Sequence, residues 1–124
     1  GIPQVYYVGL LAGRNDMELL SRSGVGRDIN RHHYSRDEID NDVRRPVVAA
    51  LINLIRLRNN HPAFQGTFEV TGQGSVLVMR WTNGDSSATL EADTSAPSAR
   101  VTTTDGTGGV VVCDNLLTGS GALR

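Results

Sequence analysis

The chain has 124 residues, a formal net charge of −1 and 39% apolar residues. That balance carries no electrostatic footprint for nucleic acid or an anionic membrane, and no apolar run reaches the roughly 20 residues of a membrane span. The one cysteine, Cys113, leaves no internal disulfide and, with no histidine or other base near it in sequence, no nucleophile. No basic stretch leads into an apolar one, so a cytoplasmic location is expected.

In chain order, residues 4–8 (Gln-Val-Tyr-Tyr-Val) are aromatic and β-branched, with Pro3 before them and Gly9 after. They do not alternate, which predicts a strand buried on both faces of a parallel sheet. A chain that opens inside such a run reads as a piece of a longer protein. A short helix is expected over residues 16–21, with Asn15 as its cap and Glu18 three positions on. Residues 23–40 have the composition of a loop, and a loop of that length in a compact domain is usually functional or disordered.

A stronger helix is predicted over residues 42–59. Val43, Val47, Val48, Leu51, Leu54 and Ile55 recur with the 3.6-residue period of one buried face. Asn41 or Asp42 is a candidate cap, Pro46 suits the first turn, and His61-Pro62 stops the helix. Arg44, Arg45, Arg56 and Arg58 are expected on its solvated face.

Beyond Gly66 the period changes from 3.6 to 2. Strands are expected at residues 67–71, 75–81 and 87–92, with turns at Gly72-Gln73-Gly74 and Asn83-Gly84-Asp85. Weaker strands are expected at residues 99–103 and 109–113, and residues 116–124 read as a fraying tail. The expected fold class is therefore an α/β piece, one β-loop-α unit, followed by a small antiparallel β domain. The boundaries are residues 1–66 and 67–124.

The opening Gly1-Ile2-Pro3-Gln4-Val5-Tyr6-Tyr7-Val8-Gly9 resembles the eighth-strand segment of the α-amylase superfamily, glycoside hydrolase family 13. Three further segments narrow the likeness: Leu10-Leu11-Ala12-Gly13-Arg14-Asn15-Asp16-Met17-Glu18-Leu19-Leu20, Gly26-Arg27-Asp28-Ile29-Asn30-Arg31-His32, and Arg45-Pro46-Val47-Val48 with Arg58-Asn59. Together they look like the sucrose phosphorylase subgroup, nearly continuously over residues 1–66. The resemblance implies that residues 1–66 close a (β/α)₈ barrel, a fold of about 250 residues. It also implies a retaining enzyme that converts sucrose and inorganic phosphate to α-glucose 1-phosphate and fructose, without a cofactor. The paired carboxylates of such chemistry lie, in the family, after earlier strands, so none maps onto this chain. One family residue does map: Arg27, whose counterpart lines the glucose pocket. A guanidinium suits that task, since its planar fork donates to a carboxylate or to vicinal hydroxyls.

The remaining candidates have plainer readings. His32-His33 suggests a metal site only superficially, because adjacent residues rarely chelate one ion and no third ligand completes a tetrahedron. Local hydrogen bonding is the expectation for both. Asp16 and Glu18 are two apart and point in different directions on a helix, so capping is expected rather than an acid pair. Asp28 is read as loop scaffolding toward Arg27 or Arg31. Tyr6 and Tyr7 are expected to pack on opposite faces of the first strand. Trp81 is expected in the β core rather than as a sugar platform. Two rival functions remain open at this point: a small β-rich carbohydrate-binding or interaction module, and a related phosphorylase or hydrolase of another glucoside. The unpaired edges of a lone strand also predict self-association, or association with the missing part of the barrel.

Overall fold

The computed structural model of the chain describes residues 3–96, 98–107 and 109–114. By internal contacts the chain divides into two units, Gly1–Ile52 and Asn53–Arg124.

The first unit is helical. Helix α1 is a single turn, Tyr7–Leu10, continued by Leu11 N–H bonding to the Tyr7 carbonyl at 3.0 Å and Gly13 N–H to the Val8 carbonyl at 2.8 Å. It buries Val8 and Leu11. Helix α2, Met17–Ser23, starts at Asp16, whose side chain accepts from Leu19 N–H. It ends at Gly24, in the left-handed conformation at φ 66°, which glycine adopts without steric cost. A 3₁₀ turn follows over Gly26–Asn30. Helix α3, Arg36–Asp42, opens with a complete capping box between Ser35 and Glu38. Helix α4, Pro46–Asn60, begins at its proline, where the missing N–H would be unpaired in any case. Val48 on its first turn is fully buried.

Two expectations need correction here. Residues 4–8 are not a strand: residues 3–6 carry no regular element, and Tyr7 and Val8 belong to α1. A strand needs a neighbour to take its N–H and C=O groups. The described part of this unit contains no strand, so the backbone satisfies itself by local turns. Tyr6 and Tyr7 consequently lie beside each other, ring centroids 4.6 Å apart, both exposed. The helix expected over residues 42–59 begins instead at Pro46, and the stretch 23–40 read as loop holds a 3₁₀ turn and most of a separate helix, α3. Asp42 ends α3 rather than capping α4, because Ser35-Arg36-Asp37-Glu38 nucleates a helix of its own upstream.

The second unit is an antiparallel meander. Strands β1 (Thr67–Gln73), β2 (Val76–Asn83), β3 (Ser86–Asp93), β4 (Ser98–Thr104) and β5 (Val110–Asp114) pair in sequence order in one five-stranded sheet. The antiparallel β domain anticipated from the change of period is present. Its first two turns are Gly74-Ser75 and Gly84-Asp85, with the glycines at φ 62° and 56°, so Gly72 and Gln73 stay in β1. The register lines up Phe68 with Trp81, Trp81 with Ala88 and Ala88 with Thr103. These share one face with Leu90 and Val101, which pair with each other. The residues alternating with them are mostly Thr, Ser, Glu and Arg, as a sheet with one core face requires.

That apolar face is covered within the unit by the end of α4 and by a second 3₁₀ turn, Pro62–Gln65, which packs on β1, β2 and β3. Ala63, Ala88 and Val101 are buried. Trp81 sits between Phe64 at 5.0 Å and Phe68 at 4.8 Å, so it belongs to the β core as expected. Leu54, Leu57, Phe64, Trp81, Leu90 and Val101 border an apolar gap of about 200 Å³. Cys113 lies on β5 opposite Val101. The tail over residues 116–124 lies outside the described residues.

Candidate functional site

Arg27 occupies the 3₁₀ turn between α2 and α3. It is exposed, and among the described residues it makes no hydrogen bond or ion pair. A cation with five donors and no internal acceptor is available for a ligand. The turn itself is tied down. Its backbone bonds are Asp28 N–H to the Val25 carbonyl at 2.9 Å and Arg31 N–H to the Asp28 carbonyl at 3.1 Å. The Asp16 N–H donates to the Ile29 carbonyl at 2.6 Å, which joins the turn to the start of α2. The Asp28 side chain makes no ion pair with Arg27 or Arg31 among the described residues; its carbonyl, not its carboxylate, does the scaffolding.

Asp16 is the hub of this segment. Its Oδ1 accepts from Leu19 N–H at 2.8 Å, and its Oδ2 lies 2.8 Å from His32 Nδ1. The other ring nitrogen, Nε2, lies 3.2 Å from Glu38 Oε1. Glu38 Oε2 in turn accepts from Ser35 N–H at 2.7 Å, while Ser35 Oγ accepts from Glu38 N–H at 3.3 Å. The hydrogen bond from Asp16, then that from Glu38, raises the His32 pKa above the ordinary histidine value. Asp16 is lowered, chiefly by His32 and then by the Leu19 N–H. Glu38 is lowered, first by the bonds of Ser35 and then by His32.

The sequence reading of Asp16 as a capping residue holds; His32 is a hydrogen-bonded loop histidine, but its partners lie 16 residues before it and six after it rather than locally. Asp16, rather than Asn15, is the cap, because its carboxylate serves α2 and His32 together. Sequence reasoning missed the partnership of Asp16 and Glu38 through one imidazole, which spans residues 16 to 38. It also missed Arg45. Arg45 is not simply solvated: its Nη1 reaches the Leu11 and Ala12 carbonyls at 3.2 and 3.3 Å and Asp42 Oδ1 at 3.3 Å. The carbonyls at the end of α1 have no intrahelical partner, which is the signal that a cation belongs there. An Arg45→Met exchange keeps the stem and removes the donors. It is expected to destabilise the first unit by about 1–2 kcal/mol, read as an earlier loss of helical circular dichroism on heating.

A wide depression of about 750 Å³ opens beside this network, bordered among others by Arg14, Asp16, Glu18, His32, Tyr34 and Arg45. Arg27 is not on its border. Gly13 makes the close packing of its wall possible, since a side chain there would collide with the Tyr34 hydroxyl and with Val8.

No protein-family model matches the chain. Curated relatives do match: a sucrose phosphorylase of Agrobacterium vitis is 54% identical over 103 residues, 82% of this chain and 21% of that protein. The chain is homologous to the C-terminal part of the sucrose phosphorylases. A glucosylglycerol phosphorylase of Marinobacter adhaerens is 49% identical over 106 residues, 85% of this chain and 22% of that protein. The crystal structure of sucrose 6F-phosphate phosphorylase from Thermoanaerobacter thermosaccharolyticum superposes with a TM-score of 0.87 at 38% identity, over 93% of this chain and 24% of that one. The chain thus spans about a fifth of the length of the phosphorylases it matches. No helix among the described residues is long and apolar enough to cross a membrane.

Proposed function

We propose that this chain is the C-terminal part of a cytoplasmic, sucrose-phosphorylase-like retaining glucosyltransferase, and that it is inactive alone. The parent takes sucrose and inorganic phosphate to α-glucose 1-phosphate and fructose, by paired carboxylates carried elsewhere on the parent. Residues 1–66 supply the last strand, a long loop and the last helix of its (β/α)₈ barrel, and residues 67–124 the β domain after it. In this reading residues 4–8 become a strand once neighbouring strands are present to pair with them. The association expected from their unpaired backbone is with the rest of the barrel or with a second copy.

The single observation that supports this reading best is the state of Arg27. It lies in one of the segments that resemble the sucrose phosphorylase subgroup, on a turn fixed at both ends, with no hydrogen bond or ion pair of its own among the described residues. Its role is to hold the hydroxyls of the glucosyl group. The matching relatives are named for sucrose, sucrose 6F-phosphate and glucosylglycerol, which present one glucosyl group on different partners. Recognition of that shared glucosyl group by Arg27 would leave the choice of acceptor to other residues.

The purified chain is expected to form no glucose 1-phosphate from sucrose and phosphate. Grafted in place of the matching segment of the Agrobacterium vitis enzyme, it is expected to support turnover. Activity of the chain alone would refute the proposed inactivity. An inactive but correctly folded graft would count against the assignment to this enzyme group.

A further inference from the structure

Asp16 and Glu38 do the same thing at two different helices. Each uses one carboxylate oxygen for the N-terminus of its helix: Asp16 Oδ1 on Leu19 N–H of α2, Glu38 Oε2 on Ser35 N–H before α3. Each then turns its second oxygen to the same imidazole, at 2.8 and 3.2 Å. An ionised carboxylate only accepts. Two acceptors facing the two nitrogens of one ring require a proton on both nitrogens, which only the imidazolium provides. A neutral ring satisfies one side and sets a lone pair against the other.

The segment clamped in this way, residues 16–38, contains the 3₁₀ turn of Arg27. Asp16 also holds that turn directly through its own N–H on the Ile29 carbonyl. His32 is therefore one residue removed from the backbone that sets where Arg27 stands. Tyr34 packs its ring edge-on to His32 at 4.6 Å and fixes the plane in which the two carboxylates must lie.

We infer that His32 is the positioning residue of the Arg27 turn, clamping the caps of α2 and α3 through both ring nitrogens at once. The consequence for sugar affinity rests on the proposed role of Arg27; the clamp itself does not. The groups facing the ring are Asp16 from the start of α2, Glu38 from α3 and the Tyr34 ring, with Arg31 and His33 adjacent in the chain. The raised histidine contributes below its ordinary value and is lost as pH rises through the raised one. The lowered carboxylates contribute above their ordinary values and are lost as pH falls through the lowered ones. The turn is thus held most firmly between the ordinary carboxylate and the ordinary histidine ranges, and it loosens on either side.

The test is nuclear magnetic resonance on the full chain. Long-range nitrogen–proton spectra should show both His32 nitrogens protonated up to a pH above the ordinary histidine value. Amide exchange protection at Asp16, Leu19, Arg31 and Glu38 should fall at least severalfold across that titration. Two variants separate the arms. His32→Asn keeps a donor near the Nδ1 position and should preserve protection at Asp16 and Leu19 while losing it at Glu38. His32→Gln keeps one near Nε2 and should do the reverse. Arg27→Ala should leave all of this unchanged, so a failure of the sugar-binding role is seen separately as unchanged turnover of the graft. A His32 ring that titrates at or below the ordinary value would overturn the clamp, as would protection indifferent to that titration. The unmutated chain alone decides this, even if both variants fold poorly.

Discussion

Replacing Arg27 by alanine in the Agrobacterium vitis enzyme carrying this segment is expected to lower kcat/KM for sucrose phosphorolysis about 10- to 100-fold. Arg27 is exposed and bonds to nothing among the described residues, so nothing in this fold depends on its side chain. Under the proposed role its donors serve the sugar. Hydrogen bonds to a charged partner are worth about 1.5–3 kcal/mol, and each 1.36 kcal/mol is tenfold in rate. Contacts to ring hydroxyls that tighten as the glucosyl group flattens lower kcat as well as raise KM. Arg27→Lys should recover only part, because a point charge replaces a planar fork. Thermal unfolding of the alanine variant should match the parent within about 0.5 kcal/mol, as for surface substitutions away from special features. A loss of less than threefold in kcat/KM would remove Arg27 from the glucose site.

The two halves of the chain differ in how far their folds were legible, and the reason is where each finds its partners. In the sheet unit the partner of every strand is the next segment along the chain. Glycines that fix the turns and a period of two therefore suffice: Gly74 and Gly84 mark the first two hairpins, and Phe68, Val70, Met79, Trp81, Ala88, Leu90 and Val101 fall on one face by counting alone. In the helical segments local rules read Pro46 in a first turn and the stop at Pro62, whereas the capping box at Ser35 fell in a stretch read as loop. Asp16, Ser35, Pro46 and Pro62 each act within four residues of themselves. What those rules cannot supply is a partner distant in sequence. The run at residues 4–8 has the composition of a buried parallel strand, and the described residues offer it no parallel neighbour. The His32 bridge was hidden for a related reason. Its two acceptors are 16 residues before it and six after it; Asp16 already had a local explanation as a helix cap, and Glu38 fell in a stretch read as loop. A residue whose local role accounts for only one of two carboxylate oxygens leaves the second to be assigned, and the sequence does not say to whom.

Gly66→Ala is expected to destabilise the second unit by about 2–3 kcal/mol, and it separates a steric claim from a compositional one. Gly66 ends the 3₁₀ turn at Pro62–Gln65 and precedes β1, at φ −97° and ψ −148°. It is exposed, so composition alone marks it as tolerant. A Cβ there would meet the backbone carbonyl of Thr82, with the carbonyl carbon at 2.7 Å and Asn83 Cβ at 2.8 Å. Thr82 is held in β2 between two strands, paired with Thr67 on one side and Ser87 on the other, so it has no freedom to withdraw. Forcing extra atoms into a fixed site costs about 1–3 kcal/mol, and the upper end applies where the obstacle is backbone. The Thr67 Oγ1 bond to the Thr82 carbonyl at 3.3 Å, and the Asn83 Nδ2 bond to the Pro62 carbonyl at 3.0 Å, both cross the same gap and would be strained with it. Because Phe64 and Trp81 flank this junction at 5.0 Å, tryptophan fluorescence should report the loss in denaturant titrations as an earlier midpoint with an unchanged slope. Gly74→Ala on the first hairpin provides the contrast: its surroundings are open and only its φ of 62° resists, so it should cost about 1–2 kcal/mol. Equal midpoints for Gly66→Ala and the unmutated chain would show that the 3₁₀ turn is not pinned against β2 in solution.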